Sequence, residues 1–102
     1  MYIIITSLYP NDKAKEVAKM YLKCLEKYPV DNGVATPIVP VAIRATHDGI
    51  RTIVVSEVKK GKFDDAMANT VNRMAMFHDI PGYRYSIKPF LNLEEGMKVL
   101  GM

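Results

Sequence analysis

The sequence predicts an α+β domain: two helices on one face of a four-stranded antiparallel sheet, with a short helix at the end. Three observations predict it. Apolar patterning changes period along the chain in the order strand, helix, two strands, helix, strand, helix. Two arms rich in Val, Ile and Thr, Val39–His47 and Ile50–Val58, flank an Asp48-Gly49 pair, which reads as a hairpin turn. Pro37 and Pro40 fall only in or before the first arm. Proline cannot donate to a central ladder, so that arm belongs at a sheet edge.

Tyr2 to Leu8 reads as the first strand, and Ile3-Ile4-Ile5 suggests burial on both faces. Pro10-Asn11-Asp12 stops it, with Asn11 or Asp12 as N-cap of a helix from about Lys13 to Tyr28. Ala14, Val17, Ala18, Tyr21, Leu22, Leu25 and Tyr28 share one arc of that helix, with Cys24 at its margin. Lys15, Lys19, Lys23 and Lys27 share the other, which reads as a solvated face. Pro29 and Asn32-Gly33 end the helix.

After the hairpin, Lys59-Lys60-Gly61-Lys62 forms a basic turn. A second helix follows from Phe63 to His78, with Phe63, Met67, Thr70, Val71, Met74, Phe77 and His78 on its apolar face and Met76 opposite. Asp64 and Asp65 suit the positive end of its dipole. Ile80-Pro81-Gly82 breaks it, and Tyr83 to Phe90 alternates as the fourth strand. Asn92 and Glu95 have capping-box spacing for a last helix, Leu93 to Leu100.

This βαββαβ order over residues 1–102 gives one ferredoxin-like domain with strand order 4-1-3-2. That order puts the proline-bearing second strand at the edge and the isoleucine strand in the centre. With 102 residues, 49% hydrophobic and 25% charged, the chain is an ordinary globular one rather than disordered. A net charge of +3, interspersed with acids, is a weak signal for nucleic acid. The lone Cys24 excludes an internal disulfide and fits a reducing cytoplasm. No apolar run reaches the length of a membrane span.

Pairing the arms about Asp48-Gly49 sets His47, Ala45, Ile43, Val41 and Val39 opposite Ile50, Thr52, Val54, Ser56 and Val58, on the face expected under the helices. The other face carries Pro40, Ala42, Arg44 and Thr46 opposite Glu57, Val55, Ile53 and Arg51. It has an apolar centre with charges around it, and such an exposed patch marks a partner or ligand. Arms of about nine residues would be roughly 30 Å long, beyond what two short helices cover.

A unit of this kind, with its long hairpin, its half-apolar open face and the ending Ile80-Pro-Gly-Tyr-Arg-Tyr85 … Asn92-Leu-Glu-Glu95, resembles the dimeric α+β-barrel superfamily. The resemblance implies a homodimer whose open sheet faces meet as a barrel. Members of that superfamily include cofactor-independent monooxygenases, small-lactone isomerases and haem-using enzymes. None of their catalytic residues matches this chain position by position, so none is carried over.

The candidate residues follow. Arg44, Arg51, Ile53, Val55 and Glu57 are the expected interface or ligand surface, the two arginines suiting a carboxylate or phosphate. His78, Tyr83 and Tyr85 are the weak candidates for proton transfer; His78 otherwise suits the last carbonyls of its helix. His47 flanks the turn and reads as exposed. There is no paired-histidine or Cys-x-x-Cys motif, so neither a metal nor a cofactor is expected. The third strand lacks the aromatics of RNA-binding sheets, and Ser7–Asp12 lacks a phosphate-cradling glycine. The leading expectation is a cytoplasmic homodimer that binds or assembles through the open face and takes a small, partly apolar ligand. The alternatives are a cofactor-independent monooxygenase or isomerase acting on a small aromatic or lactone-like substrate, and a weak anion or nucleic-acid binder using the lysine stripe.

Overall fold

The computed structural model describes residues 1–102. Strands β1 (Tyr2–Tyr9), β2 (Ala35–Thr46), β3 (Gly49–Val58) and β4 (Arg84–Phe90) form one sheet. All three pairings are antiparallel and the order is β2-β3-β1-β4, which read from the other edge is 4-1-3-2. Helices α1 (Ala14–Lys27), α2 (Phe63–Ala75) and α3 (Leu93–Val99) complete an α+β fold compatible with a ferredoxin-like arrangement. No helix is long and apolar enough to cross a membrane.

The core lies between one sheet face and the helices α1 and α2. Tyr9 packs with Val17 and Cys24 of α1, Met74 of α2, and Phe77 and Ile80 beyond it. Ile3 and Val58 pack with Ala66 of α2. Ile5, Ile50, Tyr85 and Ile87 add partly buried surface on the same side. Complete burial of such aliphatic side chains contributes roughly 1.5–3 kcal/mol each. Alternation along β1 therefore sends Ile3, Ile5, Ser7 and Tyr9 to the helices and Tyr2, Ile4, Thr6 and Leu8 to the bare side. The isoleucine run is not buried on both faces, because nothing in this chain covers the second.

The hairpin departs from the expected register. Thr46 pairs with Gly49, so His47 and Asp48 are the turn residues. The Thr46 hydroxyl donates to the Gly49 carbonyl at 2.7 Å and accepts from the Asp48 amide at 3.2 Å. Only glycines have positive φ, so this is no type I′ turn; Gly49, at φ 130°, carries the unusual conformation at the start of β3. The pairing slides by two residues, which preserves face identity near the turn. Further along β2 the register shifts twice, between Pro37 and Val39 and between Val39 and Ala42. Prolines without an N–H break the ladder there. Val39 consequently pairs with Val55 on the bare face, not with Val58 under the helices. The arms have 12 and 10 residues, yet Ile50 pairs with Tyr9, so the hairpin ends level with β1 instead of projecting past it.

The helices are shorter than the periodicity predicts. Asn11–Lys13 is a separate 3-10 turn following Pro10, with no side-chain cap. Leu22 (62% exposed) and Val71 (48%) point to solvent although each sits on its helix's apolar arc. After Ala75 the chain tightens to i→i+3 bonds, from the Met76, Phe77 and His78 amides to the Arg73, Met74 and Ala75 carbonyls. A three-residue repeat rotates the following side chains away from the α-helical phase. Met76 turns onto the core and His78 turns outward, the reverse of the expected faces.

The capping box of α3 forms: Asn92 Oδ1 accepts from the Glu95 amide at 2.8 Å and Glu95 Oε1 accepts from the Asn92 amide at 3.0 Å. Glu95 also pairs with the Met1 ammonium at 2.5 Å. The hydrogen bond from that ammonium, then the Asn92 amide, holds its carboxyl below the ordinary 4.5. Leu93, Val99 and Leu100 of the same segment are about three-quarters exposed.

Two outcomes follow. A Cβ at Gly49 would stand 2.4 Å from the Tyr9 carbonyl oxygen. Gly49→Ala costs at least about 1–3 kcal/mol from backbone conformation alone, read as a lower urea midpoint; an unchanged midpoint would contradict this account of the turn. The second concerns acid. A lowered folded pKa at Glu95 means that its contribution is present above the unfolded value and lost as pH falls through the lowered one. Protection from hydrogen exchange of the Asn92 amide, which donates to the Glu95 carboxylate, should therefore persist at neutral pH and disappear only below the ordinary carboxylate range.

Candidate functional site: the uncovered sheet face

The pairings place sixteen side chains, four rows across four strands, on the uncovered face. The first row holds Arg44, Arg51, Leu8 and Arg84, in the order β2, β3, β1, β4. The second and third hold Ala42, Ile53, Thr6 and Ser86, then Val39, Val55, Ile4 and Lys88. The fourth holds Thr36, Glu57, Tyr2 and Phe90. The middle is apolar on β2 and β3 and carries Ser86 and Lys88 on the β4 edge, one end carries three guanidinium groups, and the other carries the face's only acid beside two aromatic rings.

All five sequence-predicted interface residues share this face, in unexpected relations. Arg44 and Arg51 are direct cross-strand partners rather than diagonal ones. Like charges so placed repel unless something neutralises them. Arg51 reaches only Asp48 of the adjoining turn, at 3.9 Å, with both side chains more than half exposed, and Arg44 has no ion pair. Glu57 pairs with neither, since six residues of strand separate it from Arg51 by about 20 Å. Ile53 is 39% exposed at the centre of the face. A depression of about 280 Å³ spans β1, β2 and β3; Thr6, Ala42, Arg44, Arg51 and Ile53 of this face line it, together with Ser7, Ile43 and Thr52, which alternate to the other face.

Sequence reasoning confined to the hairpin missed the other half of this surface. Tyr2, Ile4 and Leu8 of β1 and Arg84 and Phe90 of β4 belong to it. The signal was there: once β1 is central, every second residue of Tyr2–Tyr9 must face away from the helices.

The proton-transfer candidates lie on the opposite side. His78 Nε2 and Tyr85 Oη are 2.6 Å apart, and their rings stack at 5.6 Å. Thus His78 bonds a phenol of β4 rather than the carbonyls of its own helix. Tyr83 stacks between Phe77 (4.9 Å) and Tyr9 (5.7 Å), with the Tyr85 ring 6.2 Å away. Burial pushes the Tyr83 and Tyr9 phenols above their ordinary value, so both are protonated at neutral pH; a Ser7 hydrogen bond partly opposes the shift at Tyr83. The buried Ser7 hydroxyl is satisfied by that of Thr52. Neither the depression on the sheet nor the second cavity, about 350 Å³ beside Tyr28, Asp31 and Asp65, is lined by His78, Tyr83 or Tyr85.

Cys24 is buried, and its Sγ donates to the Arg73 carbonyl at 3.9 Å. Burial raises the thiol pKa, with Arg73 opposing, so the group is a core thiol and not an activated nucleophile. Arg73 also donates to the Tyr28 carbonyl, fastening the end of α1 to α2. No group of three or more His, Cys, Asp or Glu side chains is placed to hold a metal ion.

The aromatic cluster gives a paired expectation. Tyr83→Ala empties a stack packed against the core and, since the ring is partly buried, costs about 2–3 kcal/mol, below the roughly 3–5 kcal/mol of a fully buried aromatic. Tyr85→Phe removes one hydrogen bond to an exposed imidazole and costs no more than about 1 kcal/mol. Equal losses in urea denaturation would show that the His78–Tyr85 pair carries more than packing.

Comparison of the chain with protein-family models, with curated proteins and with solved structures gives no match, so its function has to be read from this geometry.

Proposed function

We propose that the protein is a cytoplasmic homodimer assembled through its uncovered sheet faces, which between them take a small, partly apolar ligand with an anionic group at Arg44 and Arg51. One observation carries the reading: an apolar sheet centre, bounded at one end by guanidinium groups without strong ion pairs, is left bare by its own chain. Apolar surface of this extent is costly to leave in water, and closing two such faces gives a sandwich with a shared interior. Two opposed arginines attract a carboxylate or phosphate, and the depression at their base has room for the apolar part of a small molecule. The dimeric α+β barrels that the chain resembles join in the same general way.

The His78–Tyr85 hydrogen bond favours a second reading, proton transfer in a monooxygenase- or isomerase-like reaction on a small aromatic or lactone-like substrate. It ranks below the first because neither the depression on the sheet nor the cavity beside Tyr28 is lined by His78 or Tyr85. The anion or nucleic-acid reading based on the α1 lysines ranks last, since those lysines lie on a helix remote from the arginine row.

Ile53→Asp tests the assembly. A carboxylate at the centre of the joined faces would be buried without a partner. The wild type is expected to sediment as a dimer and the variant as a monomer or as insoluble protein. A variant that remains a stable dimer would refute this interface.

A further inference from the structure

Resting on that assembly, we infer that the two sheets meet with the two-fold axis across the strands, so that Arg51 of each copy lies against Glu57 of the other. Three cations stand in one row, Arg44, Arg51 and Arg84, and the lone acid stands three rows away on the same strand as Arg51. A second copy is the occupant whose surface answers both ends at once.

A two-fold axis in the plane of the joined faces can run along the strands or across them. Along the strands, each arginine row meets the partner's arginine row, and six guanidinium groups crowd one end of a low-dielectric interface. Across the strands, the row order reverses while each strand faces its own counterpart. The arginine row then lies over the fourth row of the other copy, with Arg51 on Glu57, Arg84 on Phe90 and Leu8 on Tyr2. The first contact is an ion pair and the second a cation–π contact. In the middle, Ile53 meets Val55 and Thr6 meets Ile4, while at the β4 margin Lys88 meets Ser86. The contact is isologous, as closed dimers require. Only this arrangement gives Arg51 a carboxylate that the chain itself supplies, and it leaves Arg44, opposite Thr36, for the anion of the ligand.

Sixteen side chains fall below the roughly 20–30 a side of a standard interface. The C-terminal segment leaves β4 at the Glu57 end and carries exposed Leu93, Val99 and Leu100. In the reversed register this segment lies beside the arginine end of the other copy.

Charge exchange tests the register. Within one chain Arg51 and Glu57 are about 20 Å apart, too far to couple directly. Arg51→Glu and Glu57→Arg should each raise the dimer dissociation constant at least about tenfold, measured by sedimentation equilibrium. The double variant should recover to within a few-fold of wild type, an effect that loss of the Asp48 contact in the chain's own turn cannot produce. A double variant as weak as the two single losses combined would overturn the register while leaving the sheet-face dimer standing. A wild type monomeric at every concentration would overturn both. A distance measurement is independent of charge. A spin label at His47→Cys, with native Cys24 buried, should report tips about 35 Å apart across the dimer in the reversed register; under about 20 Å indicates the axis along the strands and refutes the proposal.

Discussion

Two helices on one side of a four-stranded sheet leave the other side bare, and here half of the sixteen side chains on that side are apolar. The rest of the structure depends on this constraint. β1 is central, so it must serve both faces at once. Its odd-numbered residues from Ile3 to Tyr9 anchor the helices, and its even-numbered residues from Tyr2 to Leu8 supply the middle of the open surface. A soluble monomer with no partner for that surface would be expected to carry polar residues at Ile4, Leu8, Ile53 and Val55. The chain keeps them apolar and places its charges at the two ends and, with Lys88, on the β4 edge.

Much of the fold was legible because local and global signals agree. Proline marks β2 as an edge strand, and the edge is where the topology puts it. The Asn92–Glu95 spacing announces a capping box that forms with both hydrogen bonds. What was not legible depends on atoms distant in sequence or on small changes of pitch. The hairpin turn is fixed by the Thr46 hydroxyl, not by the intrinsic preference of Asp-Gly. The slip of β2 needs two local shifts whose positions no periodicity reveals. His78 left the expected face because three i→i+3 bonds rotated the chain after Ala75, and its bond to Tyr85 joins residues on different elements.

The candidate surface shows the same division. Arg44, Arg51, Ile53, Val55 and Glu57 could be placed on one face from the hairpin alone, because alternation survives a register slip of two. The arginine row could not. Arg84 stands beside Leu8 only because β4 pairs with β1, and Arg44 stands opposite Arg51 only after the turn moves by one residue. Three scattered arginines become an electrostatic feature through topology. The row also gives the face a direction, which an apolar surface by itself lacks.

Direction and stability meet in the thinness of the molecule. Only 11 of 102 residues are buried, and no large side chain is completely enclosed. The radius of gyration is 14.8 Å, against about 13 Å for a compact chain of this length. With extents of 48 × 30 × 18 Å, the domain is a slab one sheet and one helical layer deep. A core of this kind leaves a small margin over chain entropy. On the proposed assembly, the second sheet supplies the missing layer, so folding and association share one free energy and stability rises with protein concentration. The side chains that would join the copies are then also the second half of the core. That explains why the open face is built like an interior along β1 and β3 and like a surface at its two ends and at Lys88 on the β4 edge.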